Sequence, residues 1–171
     1  MLAKPITLKR IDSVHDHLEE LAELLVRVVE DGASIGYLPP LEQEEARMYW
    51  TNVLAPEVIL LVASYQSKIV GTVQLHLCTK PNGTHRAEIA KLMTHPQYRQ
   101  QGIGRALMRK AEELAGQELR SLIVLDTREG DPSNYLYATL GYQEAGRIPD
   151  YAKSANGNLD ATVIYYKRVG I

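Results

Sequence analysis

The sequence predicts a mixed α/β fold, a mostly antiparallel sheet of about six to seven strands flanked by about four helices, on three observations. Short β-branched runs alternate with stretches whose apolar residues recur at helical spacing. Three of those runs follow one another across short polar joins, the signature of antiparallel neighbours. Later a long helical stretch separates two further runs, and a crossover of that length suits a parallel pair.

Taken in order, ITLKR at 6 to 10 predicts the first strand. VHDHLEELAELLVRVVEDG then repeats apolar residues at Leu18, Leu21, Leu25 and Val28/Val29, a helix stopped by Gly32. DGASIGYLPPL, with two glycines and a Pro-Pro pair, predicts a loop, and a second helix is expected from Glu42 to Leu54. VILLVAS (58 to 64), IVGTVQLHL (69 to 77) and RAEIAKLMT (86 to 94), joined by YQSK and KPNG, predict three antiparallel strands. Ile103, Leu107, Ala111 and Leu114 place a helix over Gly102 to Glu118, and SLIVLDT (121 to 127) returns as a strand parallel to 86 to 94. A helix over Pro132 to Leu140, a strand from Tyr142, a loop containing IPDYAKSANGN and a last strand ATVIYYKRV complete the chain.

With 171 residues and neither repeats nor a low-complexity linker, one domain over 1–171 is expected. The 45% apolar and 23% charged residues fit a soluble globular protein. A net charge of −2 gives no general reason to bind nucleic acid or an anionic membrane. The first residues, MLAKPITLKRIDSVHDH, lack an export signal's apolar core, and no stretch approaches the ~18 apolar residues of a membrane helix. The single cysteine, Cys78, cannot form an internal disulfide; a cytoplasmic location is therefore expected.

The informative stretch is HPQYRQQGIGRALM at 95 to 108, a glycine-containing turn between a strand and a helix. A helix start leaves backbone N–H groups without partners and carries the positive end of the dipole, so it receives an anion if the main chain can be approached closely. Gly102 and Gly104 allow that approach, and Arg99 and Arg105 add charge, so a phosphate-bearing ligand is expected. The Walker pattern fails for want of GK[ST], and the dinucleotide fingerprint fails because Leu107 stands where a third small residue is needed.

RAEIAKLMTHPQYRQQGIGRALM resembles the acetyl-CoA site of the GNAT superfamily of acetyltransferases, in which a strand ends in an apolar triplet and leads through proline to R/Q-x-x-G-x-G/A. SNYLYATLGY resembles that superfamily's later motif A-x-x-x-Y-x-x-x-G-F/Y, with Ser133 for the alanine, then Tyr137, Gly141 and Tyr142. DGASIGYL, LHLCTKPNG, RAEIAKLM, IVLDT and ATVIYYK together resemble its toxin-acetylating branch, the tabtoxin resistance acetyltransferases, from about residue 31 to 168. The resemblance implies a GNAT-type sheet splayed between its two parallel central strands, acetyl-CoA as co-substrate, and no metal. Leu92, Met93 and Thr94 would offer main-chain groups to the pantetheine arm, while Gln100, Gln101, Gly102, Ile103, Gly104 and Arg105 wrap the pyrophosphate beside Arg99. An asparagine often found seven residues before the motif tyrosine is Gly130 here, and Asn134 stands at the wrong offset.

Acetyl transfer from a thioester to an amine needs a neutral nucleophile, stabilisation of the oxyanion and a proton for the leaving thiolate. An alkylammonium with a pKa of about 10 needs a carboxylate, directly or through water, to take its proton. Glu88 sits on the strand before the turn, sharing a face with Ala90 and Leu92; it is either paired with Arg86 or Lys91 or, as in several GNAT enzymes, the base. Asp126 ends SLIVLD at the carboxyl edge where parallel strands present functional groups; it either caps the turn at Thr127 and Arg128 or, as the resemblance implies, acts with Glu88. Tyr137, singled out among 10 tyrosines by its offset from Gly141, suits a general acid. A backbone N–H near Leu92 or Met93 is the best candidate for the oxyanion donor.

A small-molecule amine is the expected acceptor, held by the loops Ala33 to Leu38 and IPDYAKSANGN with Tyr37 and Tyr151. His76 and His95 read as structural residues. The alternatives are a non-catalytic acyl-CoA-binding module and a peptide or protein N-acetyltransferase, the last of which calls for an open groove. A homodimer through the last strands is expected by analogy with the superfamily.

Overall fold

In the computed structural model, which describes residues 5–170, seven strands form one sheet with helices on both faces. Residues 1–4, the start of the stretch read for an export signal, and residue 171 lie outside the described residues. The strands are β1 (Thr7–Ile11), β2 (Val58–Tyr65), β3 (Lys68–Leu77), β4 (Arg86–Thr94), β5 (Leu122–Arg128), β6 (Gln143–Lys153) and β7 (Leu159–Arg168), in spatial order β1-β2-β3-β4-β5-β7-β6. The helices are α1 (Leu18–Glu30), α2 (Gln43–Thr51), α3 (Ile103–Gln117) and α4 (Pro132–Thr139). Every neighbouring pair is antiparallel except β4 and β5, whose crossover is α3. Among the described residues no helix is long and apolar enough to cross a membrane.

The predicted elements form, with two differences. The second helix ends at Thr51 rather than Leu54; the Asn52 amide donates to the Met48 carbonyl at 2.8 Å, and Pro56 follows, disfavouring helical backbone before it. The segment read as the loop IPDYAKSANGN is largely strand, because β6 runs to Lys153 and only residues 154–158 remain as the turn before β7. Its turn-forming residues are absorbed by register shifts at Glu144/Gly146 and Ile148/Ala152, with Asp150 at φ +53°. An edge strand tolerates Pro149 where an inner one would lose a ladder bond.

Two apolar layers cover the sheet. Ile103, Leu107, Met108 and Ala111 of α3 pack with Ile59, Leu75, Ile89, Ile123 and Leu125 on one face. Leu21, Leu25, Val28 of α1 and Trp50 of α2 pack with Leu60, Val62, Ile69 and Met93 on the other. The central feature is the parting of β4 and β5. They pair only from Arg86↔Leu122 to Glu88↔Val124 and then diverge. On its other side β4 carries a bulge, a register shift opposite Thr72 to Gln74 with Lys91 at φ +52°. The bulge reverses the alternation: Ala87 and Ile89 face α3, yet Met93 faces α1 and α2.

Candidate active site

A cleft of about 850 Å³ opens where β4 and β5 part. It runs from the start of α3 to the loop after α1 and the ends of β6 and β7. Beyond Glu88 no strand lies against the β5-facing edge of β4, so the main-chain groups of that edge, including those at Leu92 and Met93, are left for a ligand.

At one end is the turn into α3. Gly102, the N-cap, has φ +81°, a left-handed conformation that glycine adopts without strain, and Gln100 precedes it at φ +60°. Gly102 has no side chain to cap the helix, and there is no acidic residue in the first turn. The first N–H groups of α3 therefore face the cleft with the positive end of the helix dipole. A Cβ on Gly104 would stand 3.4 Å from Leu136 and 4.0 Å from the Thr94 hydroxyl, so its absence keeps this narrow part open. Uncapped N–H groups beside a glycine-lined gap are the donor set a pyrophosphate requires. Of the residues expected to hold the cofactor, Leu92, Met93, Thr94, Arg99, Gln100, Gly102, Ile103, Gly104 and Arg105 line the cleft; Gln101 does not. The two arginines differ. Arg99 is paired with Asp31 at the end of α1 and donates to the Thr94 carbonyl at 3.3 Å, whereas Arg105, among the described residues, donates to the neutral Thr139 hydroxyl alone, at 2.7 Å.

The other end is built from side chains. Glu88 and Asp126 are both exposed and line the same cleft from the two diverging strands. Among the described residues Glu88 forms no ion pair with Arg86 or Lys91. Asp126 accepts from the Thr162 hydroxyl on β7 at 2.7 Å instead of capping its own turn. Tyr137 projects from α4, only 5% exposed, against Tyr142 and Tyr165. Burial, reinforced by the Asp126 and Asp131 charges, raises its pKa and keeps the phenol protonated. Lys91, aimed into the cleft by the bulge, donates to the Ile35 carbonyl at 2.5 Å and lies 5.7 Å from the centre of the Tyr49 ring. Its burial lowers its pKa, with Asp126 opposing.

Arg128, which the sequence reading did not single out, organises this end. Its guanidinium donates to Asp131 before α4, to the Ser154 hydroxyl between β6 and β7, and to the Gly32 carbonyl after α1, each at 3.0 Å. Ser154 in turn donates to Asp160. One planar cation thus ties its near neighbour Asp131 to two segments far off in the chain, at Gly32 and Ser154, and for those two contacts nothing local in the sequence is a signal. Tyr151 lines the cleft; Tyr37 lines a small side cavity behind Arg128 and packs edge-on against Tyr49, with centroids 5.8 Å apart. Asn134 is committed to the fold, donating to the Arg128 and Asp131 carbonyls and accepting from Tyr165. His95, 7% exposed, accepts from the Gln97 N–H at 3.3 Å. His76 lies opposite Glu88 on β3 and bonds Gln74 at 2.8 Å; burial lowers its pKa.

Solved structures share this fold at low sequence identity. A ribosomal-protein-alanine N-acetyltransferase from Brucella melitensis matches with a TM-score of 0.81 and 18% identity, covering 95% of this chain and 99% of that one. A putative phosphinothricin N-acetyltransferase matches at 0.79 and 19%, covering 98% and 100%. A putative acetyltransferase from Salmonella typhimurium, solved with its cofactor acetyl-CoA, matches at 0.80 and 15%, covering 98% and 96%. The family model for the acetyltransferase (GNAT) family matches residues 15–142, which contain β2 to β5, the cleft's glycine turn and Tyr137. The chain belongs to the acetyltransferase (GNAT) family.

Proposed function

We propose that this acyltransferase moves an acetyl group from acetyl-CoA to the amine of a small, amino-acid-like acceptor, the class that includes amino-acid toxins and antibiotics, by direct attack with both substrates bound. The observation that carries the proposal is the divergence of β4 and β5 beyond Glu88↔Val124, which puts Glu88, Asp126 and Tyr137 on one slot with the start of α3. Acetyl-CoA supplies the activated thioester. The N–H groups of α3 and Arg105 hold its phosphates, and the free edge of β4 at Leu92 and Met93 aligns its arm and donates to the acetyl oxygen as charge develops there.

Glu88 and Asp126 attract the acceptor's ammonium and take its proton, directly or through water, which frees the nitrogen lone pair. Tyr137 donates its phenolic proton towards the leaving sulfur. Its buried, protonated phenol stays a donor throughout the neutral range. The solved neighbours include enzymes named for a protein acceptor and for a small one, so the fold alone does not select between them. Arg128 ties the loop after α1 to the end of β5 and to the β6–β7 turn, a framed pocket that suits a small acceptor better than an extended chain.

The test is release of free coenzyme A thiol across a panel of small amines, with detection of products heavier by one acetyl group. Tyr137→Phe should lower kcat by about 100-fold, the lower range for loss of a general acid, without weakening acetyl-CoA binding. Full activity of that variant would remove Tyr137 from the chemistry.

A further inference from the structure

Four cations line the cleft: Lys91, Arg99, Arg105 and Arg128. Arg99 is neutralised by Asp31 and Arg128 by Asp131. Arg105 stands on the first turn of α3, at the cofactor end. Lys91 is the remaining charge and lies at the opposite end. Among the described residues it has no carboxylate partner; its ammonium donates to the Ile35 carbonyl and lies over the Tyr49 ring. An ammonium has three donors, so two are left, and burying a charge that lacks a counter-ion is costly.

The backbone places it there. In a regular strand Lys91 would follow Ala87 and Ile89 into the apolar layer under α3. The bulge, with Lys91 at φ +52°, sends it instead to the face that carries Glu88, beneath the loop at Gly36, where an added Cβ would stand 3.2 Å from the ammonium. Such a conformation costs a non-glycine residue energy and is retained where the side chain's direction matters. The result is a pocket with two exposed carboxylates, Glu88 and Asp126, and one ammonium that neither contacts as an ion pair, Asp126 acting on it only at a distance.

We propose that Lys91 binds a carboxylate of the acceptor, so that the enzyme selects zwitterionic acceptors, which present an amine to Glu88 and Asp126 and a carboxylate to Lys91. This rests on the amine-acetylation reading above and adds to it a rule of selection. Lys91 is a specificity residue here; the proton transfers stay with the carboxylates and Tyr137. Burial also holds the Lys91 ammonium below the ordinary lysine range, the state a bound anion would reverse.

The experiment compares free amino acids with their methyl esters and carboxamides as acceptors, for the unsubstituted protein, Lys91→Gln and Lys91→Arg. For the free acids, Lys91→Gln should raise KM by about 10-fold or more, the loss of a charge-assisted hydrogen bond, with kcat little changed. The esters, the carboxamides and the KM for acetyl-CoA should not move, and Lys91→Arg should recover part of the loss. Taking each acceptor's ratio between protein and variant cancels the different basicity of ester and acid amines. Equal losses for acids and esters, or no loss for acids, would overturn the proposal while leaving amine acetylation intact. If no panel member is acetylated, calorimetry with coenzyme A present decides. Heat from the acids alone, lost in Lys91→Gln, supports the anion site and sinks the transfer reading; no heat from acids sinks both.

Discussion

The two ends of the cleft are built from different material. The end at α3 is mostly main chain, with uncapped N–H groups, a left-handed glycine and a strand edge that lost its neighbour, and the Arg99 and Arg105 side chains flank it. The other end, where the acceptor is proposed to bind, consists of side chains delivered by β4, β5, β7, the loop after α1 and the β6–β7 turn. Main-chain donors hold one geometry and do not titrate, which suits a co-substrate that never changes. Charged side chains can be exchanged one at a time without rebuilding the sheet, which suits an acceptor that differs between relatives. On the proposed reading Glu88, Asp126 and Tyr137 act at the boundary, where a fixed thioester would meet a variable amine.

The sharpest way to break this division is to close the main-chain end. Gly104→Val would place methyl groups against Leu136 and Thr94, whose atoms are already 3.4 and 4.0 Å from where a Cβ would sit. Calorimetric binding of acetyl-CoA should fall by at least about 100-fold while far-UV circular dichroism is unchanged, because valine is no poorer a helix former than the glycine it replaces. Undiminished binding would mean that the co-substrate does not pass this turn. A smaller effect is expected at the boundary. Glu88→Gln and Asp126→Asn should each lower kcat/KM by about 10- to 100-fold and move the rise of rate with pH towards the acceptor ammonium's own pKa of about 10, since solvent must then remove the proton. Acetyl-CoA binding should not change in either variant. A pH profile identical to that of the unsubstituted protein would make both carboxylates structural.

The same division explains what could be read from the sequence. HPQYRQQGIGRALM is contiguous, so its two glycines, its flanking arginines and the helix it opens were visible together, and the parallel pair followed from the length of α3. Glu88, Asp126 and Tyr137 were found one by one, each through its place on a strand or in a motif, and the structure brings all three to one cleft. What escaped was long-range. That Asp31 would neutralise Arg99 depends on where α1 ends, and the Arg128 network reaches past its near neighbour Asp131 to residues 32 and 154, which no periodicity relates to it. The extension of β6 escaped for another reason: proline, asparagine and glycine signal a turn locally, but an edge strand beside a long β7 absorbs them in bulges.

Arg128 gives the finest test, because it should affect one end only. Its guanidinium is about one-fifth exposed and meets a carboxylate, a hydroxyl and a main-chain carbonyl from three segments, none of which is at the α3 turn. Arg128→Met keeps the length of the side chain but removes every donor, leaving the Gly32 carbonyl and the Asp131 carboxylate to water. Stability should fall by about 1–3 kcal/mol, the range for breaking hydrogen bonds to a charged group, read as a lower midpoint in urea. The freed loop should raise the acceptor KM several-fold, while the acetyl-CoA dissociation constant stays within about a factor of two, because the Arg99–Asp31 pair that adjoins Gly32 does not depend on Arg128. Arg128→Lys separates charge from geometry. It restores a cation beside Asp131 but cannot reach three partners in one plane, so it should recover stability more than acceptor affinity. If either variant weakens acetyl-CoA binding as much as acceptor binding, the two ends are mechanically coupled, and the acceptor pocket could not vary without disturbing the co-substrate.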